Sequence, residues 1–390
     1  MRLRQAAAAV CILAAVFSMT GCWNYRELET IAMVAGFSID KGETGSGYHM
    51  TFEVLDESGG GGNGGSGSPS ALRSTLIESD GDTIFDAVRN ALKKSDKKLY
   101  FGECKAVILS RQLAFEGITP LLDWINRDSE PRLTENLFVS KEATAADVLR
   151  QKSPVNPITS YALEKIITND PDFLAKTPFM QLYKVNGALG GQGISLVLPA
   201  LDIGRQQGDT PPELAGTAVF KKDKLLGFLG SEESKYLLFA QDQVGGGVLL
   251  VAESSDTPDT TLEIISSKTE ITVLSKGGSP KLGIAVKMET ALGETETALD
   301  LSSESGIHKL EQDAARTLES RIGKLIHKTQ NEYDSDIFGF GNSIYKDEPR
   351  YWDEIAPRWD SLFKNLKVDI SADVKIKNTA LAKSNVKAGG

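Results

Sequence analysis

Ile307, Leu310, Ala314, Leu318, Ile322 and Leu325 recur at spacings of three and four within residues 304–332. They form one apolar stripe along a helix of about eight turns. A stripe that long must be buried on something broad. The surrounding sequence supplies strands for it, at residues 247–251, 261–265, 269–274, 282–288 and 297–301. A last strand follows, in which Val368, Ile370, Ala372, Val374 and Ile376 alternate with Asp369, Ser371, Asp373 and Lys375. Such alternation leaves one face wet. A short helix carrying Trp352, Ile355, Trp359 and Phe363 precedes it. The second half of the chain is thus predicted to be a sheet packed against one long amphipathic helix.

The first half alternates strands with helices. Residues 28–34 read as the start of a helix and 37–40 as a strand. Tyr48, Met50, Phe52 and Val54 alternate with His49, Thr51, Glu53 and Leu55, the period of a half-buried strand. Residues 72–78 read as its partner. The tract between them, 58–70, is nearly all Gly, Ser and Asn. It is predicted to be an elongated hairpin loop rather than a linker, since loop-closure entropy grows only logarithmically with length. Asp82 is placed to cap a helix with Ile84, Phe85, Val88 and Leu92 on one face. A strand at 105–109 follows, then a helix opened by Thr119-Pro120 and carrying Leu121, Leu122, Trp124 and Ile125. A strand at 136–140 precedes a helix opened by Thr144 with Asp147. Helices at 160–168 and 177–183 and a strand at 194–198 complete this half.

A polar break at 204–213, with Pro211-Pro212, separates the halves. Beyond it come a hairpin over 217–229 and a short helix capped by Ser231. The predicted fold class is α+β (mixed α/β) in two to three domains, each a β-sheet packed with helices. The N-terminal domain covers 22–205 and is open to further division; the C-terminal domain covers 214–378.

The N-terminus has another purpose. Arg2 and Arg4 precede an uncharged apolar run, 6–19, and Met19-Thr20-Gly21-Cys22 has the form of a lipobox. The run is short for a membrane span and matches the apolar core of a signal peptide. Residues 1–21 are read as a lipoprotein leader. Cys22 is read as an S-diacylglycerol cysteine whose new amine takes a further acyl chain, because two or more chains are needed for stable anchoring. An uncleaved helix, or an ordinary signal peptide ending near a cysteine, fits the order of charge, apolar run, small residue and Cys less well. Trp23 and Tyr25 are placed to rest among lipid headgroups.

The 390-residue chain carries a net charge of −10 and three cysteines. Such acidity argues against nucleic acid as a partner, and the sequence shows no polybasic segment for anionic lipid. Cys11 leaves with the leader and Cys22 takes the lipid. Cys104 therefore has no disulfide partner and is expected as a small buried hydrophobe. His49, His308 and His327 are far apart in sequence and are expected at the surface. No metal-ligand spacing, nucleophile elbow or phosphate loop occurs. Asp334-Ser335-Asp336 lacks the later oxygen ligands of a calcium loop, since Phe338 and Tyr345 stand in their places. Trp352 and Trp359 fit core packing better than a sugar platform. No catalytic residue, metal or cofactor is assigned.

Five segments resemble one family in order along the chain. Gly21-Cys22-Trp23-Asn24-Tyr25-Arg26-Glu27-Leu28 is similar to the mature start of the Ger(x)C lipoproteins, the C subunits of bacterial spore germinant receptors. Ala35-Gly36-Phe37-Ser38-Ile39-Asp40-Lys41 resembles the glycine-containing strand that follows there. Residues 121–132, with Asn126-Arg127-Asp128, resemble the family's segment after its central helix. The hairpin from Thr217-Ala218-Val219-Phe220-Lys221 to Leu225-Leu226-Gly227-Phe228-Leu229 resembles the opening of its C-terminal domain. Asp336-Ile337-Phe338-Gly339-Phe340-Gly341, with Trp352 and Trp359, resembles its closing segment. The glycine tract and Asn24, where Asp is commoner, are departures. The resemblance implies a mixed α/β fold of three domains and a non-enzymatic subunit. It also implies two membrane partners, subunits A and B, on the outer face of the spore inner membrane, and a trigger by small nutrients. A solute-binding lipoprotein that captures the nutrient itself is the alternative reading.

Overall fold

The computed structural model describes residues 4–5, 30–56, 73–153, 155–204, 210–252, 258–275, 280–296, 301 and 303–378. Cys22, Trp23, Tyr25, the tract 58–70 and most of the strand predicted at 297–301 lie outside the described residues.

The first sheet is built from β1 (Ile31–Lys41), β2 (Tyr48–Asp56), β3 (Arg73–Gly81), β4 (Lys98–Tyr100), β5 (Ala106–Leu109), β6 (Asn136–Ser140), β7 (Val197–Ile203), β8 (Pro212–Lys221) and β9 (Lys224–Leu229). Its order is β3-β2-β1-β5-β6-β7-β8-β9, with β4 beside the start of β1. The centre, β1-β5-β6-β7, is parallel, and antiparallel hairpins flank it on both sides. Six helices cover it: α1 (Ile84–Asn90), α2 (Arg111–Glu116), α3 (Thr119–Arg127), α4 (Ala146–Arg150), α5 (Thr159–Phe173) and α6 (Leu182–Gly190). Alternate strand residues feed two cores. Phe37, Ile39, Val107 and Leu109 pack with α1, α2, α3 and α6. Ala106, Ile108 and Phe138 pack with α4 and α5 on the other face. Parallel strands buried on both faces are what strand-helix alternation requires.

Several expectations change here. Residues 31–34 belong to β1 and are not helical. Thr83 rather than Asp82 caps α1, its hydroxyl accepting from Asp86 N at 3.1 Å. The buried side of α1 is Ile84 and Ala87, while Phe85 and Leu92 stay exposed. The helix predicted from 177 begins only at Leu182. Strand β2 is buried on both faces, since Thr51 and Glu53 lie under α4 and α5. On either side of the tract 58–70, β2 and β3 pair in a continuous antiparallel register, with Asp56 opposite Arg73.

The second sheet runs β10 (Val248–Val251), β11 (Thr260–Ser275), β12 (Lys281–Thr295) and β13 (Lys367–Asn378), with β13 parallel to β12. The strands predicted at 261–265 and 269–274 are one. A register shift between Ile264 and Ser266 turns Ile265 outward and interrupts the period of two. Helices α7 (Ser231–Ala240), α8 (Glu304–Lys328), α9 (Phe340–Asp347), α10 (Pro349–Ile355) and α11 (Trp359–Phe363) complete this half. The stripe Leu310, Ala314, Leu318, Ile322 and Leu325 joins Leu282, Ile284, Val286 and Met288 in one core. Helix α8 gives way at Thr329–Tyr333 to a wider π turn, and Asp334 then reverses the chain at φ 48°. The hairpin β8–β9, which follows the break at 204–213, is hydrogen-bonded to β7 and extends the first sheet.

Candidate functional site

A groove of about 770 Å³ opens over the first sheet between α1 and α3. Phe101 and Trp124 line it and belong to an aromatic cluster completed beneath them by Phe37. Phe37, Phe101 and Trp124 meet edge to face with centroids 5.7 to 5.8 Å apart, a geometry that adds to simple burial. Phe85, Val88 and Leu92 form one wall. The Arg89 guanidinium lies 4.8 Å above the Phe85 ring. The rim is charged but internally paired, Asp123 with Arg127 at 2.9 Å and Lys98 with Glu130. An apolar floor with a paired polar rim can hold an apolar body.

Three buried carboxylates lie elsewhere and serve the backbone. Asp40 accepts from Ala145 N and Ala146 N at the start of α4, at 2.6 and 3.0 Å. Burial raises its pKa against those two donors. Glu53 accepts from Thr159 N, Ser160 N and the Ser160 and Ser74 hydroxyls at 2.6 to 2.8 Å, which seats the start of α5 on β2. Asp170 closes the turn after α5 by accepting from Lys176 N and Thr177 N. Asp40 and Glu53 each join segments over a hundred residues apart, so no local pattern marks them. Among the described residues no group of three His, Cys, Asp or Glu side chains could hold a metal ion.

Of the residues weighed in the sequence, Cys22 is outside the described residues. Cys104 is buried, its thiol donates to Ala106 O at 3.6 Å, and burial beside Glu135 holds its pKa well up. That is an inert thiol. His308 and His327 are exposed, whereas His49 is half-buried with its Nδ1 2.8 Å from Asp80. Trp352 and Trp359 are core residues, stacked edge to face at 5.4 Å.

The segment 334–341 is a staple between the two halves. Asp336 accepts from Gly339 N, Phe340 N and Gly341 N, while Ser195 N donates to its carbonyl at 2.8 Å. The Ser335 hydroxyl donates to Phe220 O at 2.6 Å. Lys221 reaches Asp334 at 2.8 Å and Asp360 at 3.2 Å. Gly193 and Gly341 touch so closely that a Cβ on Gly193 would sit 2.3 Å from Gly341 C. The residues that looked faintly like a calcium loop are spent on these contacts.

Comparison with known proteins gives this architecture a family. Residues 24–203 match the model described as spore germination protein N-terminal domain, and residues 215–380 match spore germination B3/GerAC like, C-terminal. Spore germination protein KC of Bacillus subtilis (strain 168) is 25% identical, across 99% of this chain and 98% of its own. Spore germination protein B3 of the same organism is 27% identical, across 91% of this chain and 94% of its own. The crystal structure of the GerBC protein superposes with a TM-score of 0.58 at 22% identity, covering 88% of this chain and 97% of that one, and so shares the fold. No described helix is long and apolar enough to cross a membrane. With both halves matched in order and the fold shared throughout, the chain belongs to the GerAC, or Ger(x)C, family of spore germination proteins.

Proposed function

We propose that this chain is the lipid-anchored, non-catalytic C subunit of a spore nutrient-germinant receptor. Diacylglycerol on Cys22, with a further acyl chain on its amine, holds it on the outer face of the spore inner membrane. There it docks on the receptor's two membrane subunits, A and B. Residues 22–205 and 214–378 act as its two domains. Membership of the family along both halves carries this reading. The use of the buried carboxylates as backbone acceptors supports a scaffold over an enzyme.

The test is genetic. Deleting the gene should abolish germination triggered by the receptor's nutrient while lysozyme-assisted recovery of spores stays normal. Unchanged germination in a strain with no second receptor of the same specificity rules the reading out. Cys22→Ala should move the protein to the soluble fraction and impair germination.

The groove between α1 and α3 favours one alternative, a solute-binding lipoprotein that captures the nutrient. A calorimetric signal from an amino acid or sugar added to the purified chain, lost on Phe85→Asp, would support it.

A further inference from the structure

Lipid on Cys22 sets where the bilayer stands relative to the fold, and the surface inferred from it rests on that assignment of the anchor. Thr30 lies eight residues beyond Cys22. An extended chain covers at most ~3.5 Å per residue, so the start of β1 stays within about 28 Å of the lipidated cysteine. Ile31, at that start, pairs with Lys98 of β4. The register of β2 with β3 closes at the same end, with Asp56 opposite Arg73. A cleft of about 610 Å³ opens there, lined by Ile31, Asp56, Thr75, Lys94, Asp96 and Lys97.

This end of the sheet gathers cations on a chain whose net charge is −10, with Asp56 and Asp96 standing among them. Residues 93–98 read Lys-Lys-Ser-Asp-Lys-Lys. Lys93, Lys94 and Arg73 are exposed, and none of the three is ion-paired among the described residues. Lys98 is held by Glu130. The linear sequence offers only this short run. The fold adds Arg73 to it and sets both beside the tethered end of β1. Clustered cations repel one another, so such a cluster suits an anionic surface.

We propose that this end of the first sheet faces the lipid headgroups, with Lys93, Lys94 and Arg73 contacting anionic phospholipid in the leaflet that holds Cys22. The tether keeps the cluster near the surface and raises its effective concentration there. The opposite ends of the same strands, at Lys41, Tyr48 and Gly81, then point away from the bilayer.

The probe is a pair of vesicles, phosphatidylglycerol mixed with phosphatidylcholine, and phosphatidylcholine alone. The mature chain carrying Cys22→Ala is secreted behind an ordinary leader, so that the surface is read without the anchor. At low salt it should sediment with the anionic vesicles only, and about 0.5 M salt should release it by screening. Each basic residue contributes about fivefold to partitioning, so Arg73→Gln, Lys93→Gln and Lys94→Gln together should weaken it about a hundredfold. Lys287→Gln, Lys324→Gln and Lys346→Gln, elsewhere on the surface, should leave it unchanged. Equal binding to both vesicles, no binding to either, or equal loss in both triple variants overturns the proposal. The anchor is read separately, by flotation of the lipidated chain with phosphatidylcholine alone. Failure there overturns the anchor and not the basic surface.

Discussion

The indole Nε1 of Trp359 donates to Asp336 Oδ2 at 3.2 Å inside the core that joins the two halves. With Gly339 N, Phe340 N and Gly341 N, at 2.9 to 3.1 Å, it makes four donors on one buried carboxylate. Burial pushes this carboxyl up to about 6 even so. Asp336→Asn replaces an acceptor oxygen by an NH₂ that must face one or more of these donors. It should cost about 2–4 kcal/mol, the range for breaking a buried charged network. Chemical denaturation followed by tryptophan fluorescence measures it. A loss below ~0.5 kcal/mol would mean that the staple contributes little.

Gly36 and Ser160 make a second close approach. A Cβ on Gly36 would lie 2.1 Å from Ser160 Oγ and 2.7 Å from Ala106 O. Gly36→Ala should destabilise by about 2 kcal/mol or more through overpacking. Adding Ser160→Gly should recover only part of that, for two reasons. The clash with the Ala106 carbonyl remains, and Glu53 loses a hydroxyl donor. Full recovery in the double variant would show that the serine side chain alone sets the limit.

Much of this fold is legible in the sequence because its signals are local. The stripe on α8, the alternation along β13, the Thr119-Pro120 helix start and the strand at 136–140 all depend on residues within a few turns of one another. The failures have tertiary causes. Glu53 on β2 reads as solvent-facing because its partners, Thr159 and Ser160, are over a hundred positions away. Phe85 and Leu92 read as core because they share a helical face, yet that face forms a groove wall. Residues 31–34 read as helix because their apolar residues follow Glu29 and Thr30 without alternation, β1 being buried on both faces. The hairpin β8–β9 comes after a proline-rich break and still completes the earlier sheet. No composition shift could announce that.

Two glutamates of α8 protect the edge of the second sheet. Glu319 accepts from Ala372 N at 2.9 Å and Glu311 from Ile376 N at 3.0 Å, so the outer donors of β13 meet side chains. An open edge is a template for pairing with another chain. Glu311→Ala with Glu319→Ala should cost about 1–3 kcal/mol in total, and should raise light scattering of the concentrated protein well before any loss of helix signal. Unchanged scattering at equal concentration would mean that α8 shields the edge sterically without these bonds.

Glu135 gives the chain a measurable response to pH. It is 1% exposed, and one carboxylate oxygen accepts from Arg132 N at 2.9 Å. The other, Oε2, accepts nothing from the described residues. Burial pushes its pKa up to about 7 against the pull of Arg132 and Cys104. In the unfolded chain the same carboxyl releases its proton near ~4.3. Between these values the folded chain binds the extra proton, so stability falls as pH rises through the window and the loss is complete above about 7. At 1.36 kcal/mol per unit this amounts to about 4 kcal/mol. Asp336 acts in the same direction at lower pH, with its window ending near about 6. Glu135→Gln keeps an acceptor for Arg132 N and removes the buried charge. It should raise the melting temperature at pH 8, leave it nearly unchanged at pH 5, and flatten the fall between them. A wild-type melting temperature that is level from pH 5 to 8, or a Gln variant that keeps the same slope, would show that Glu135 ionises without penalty.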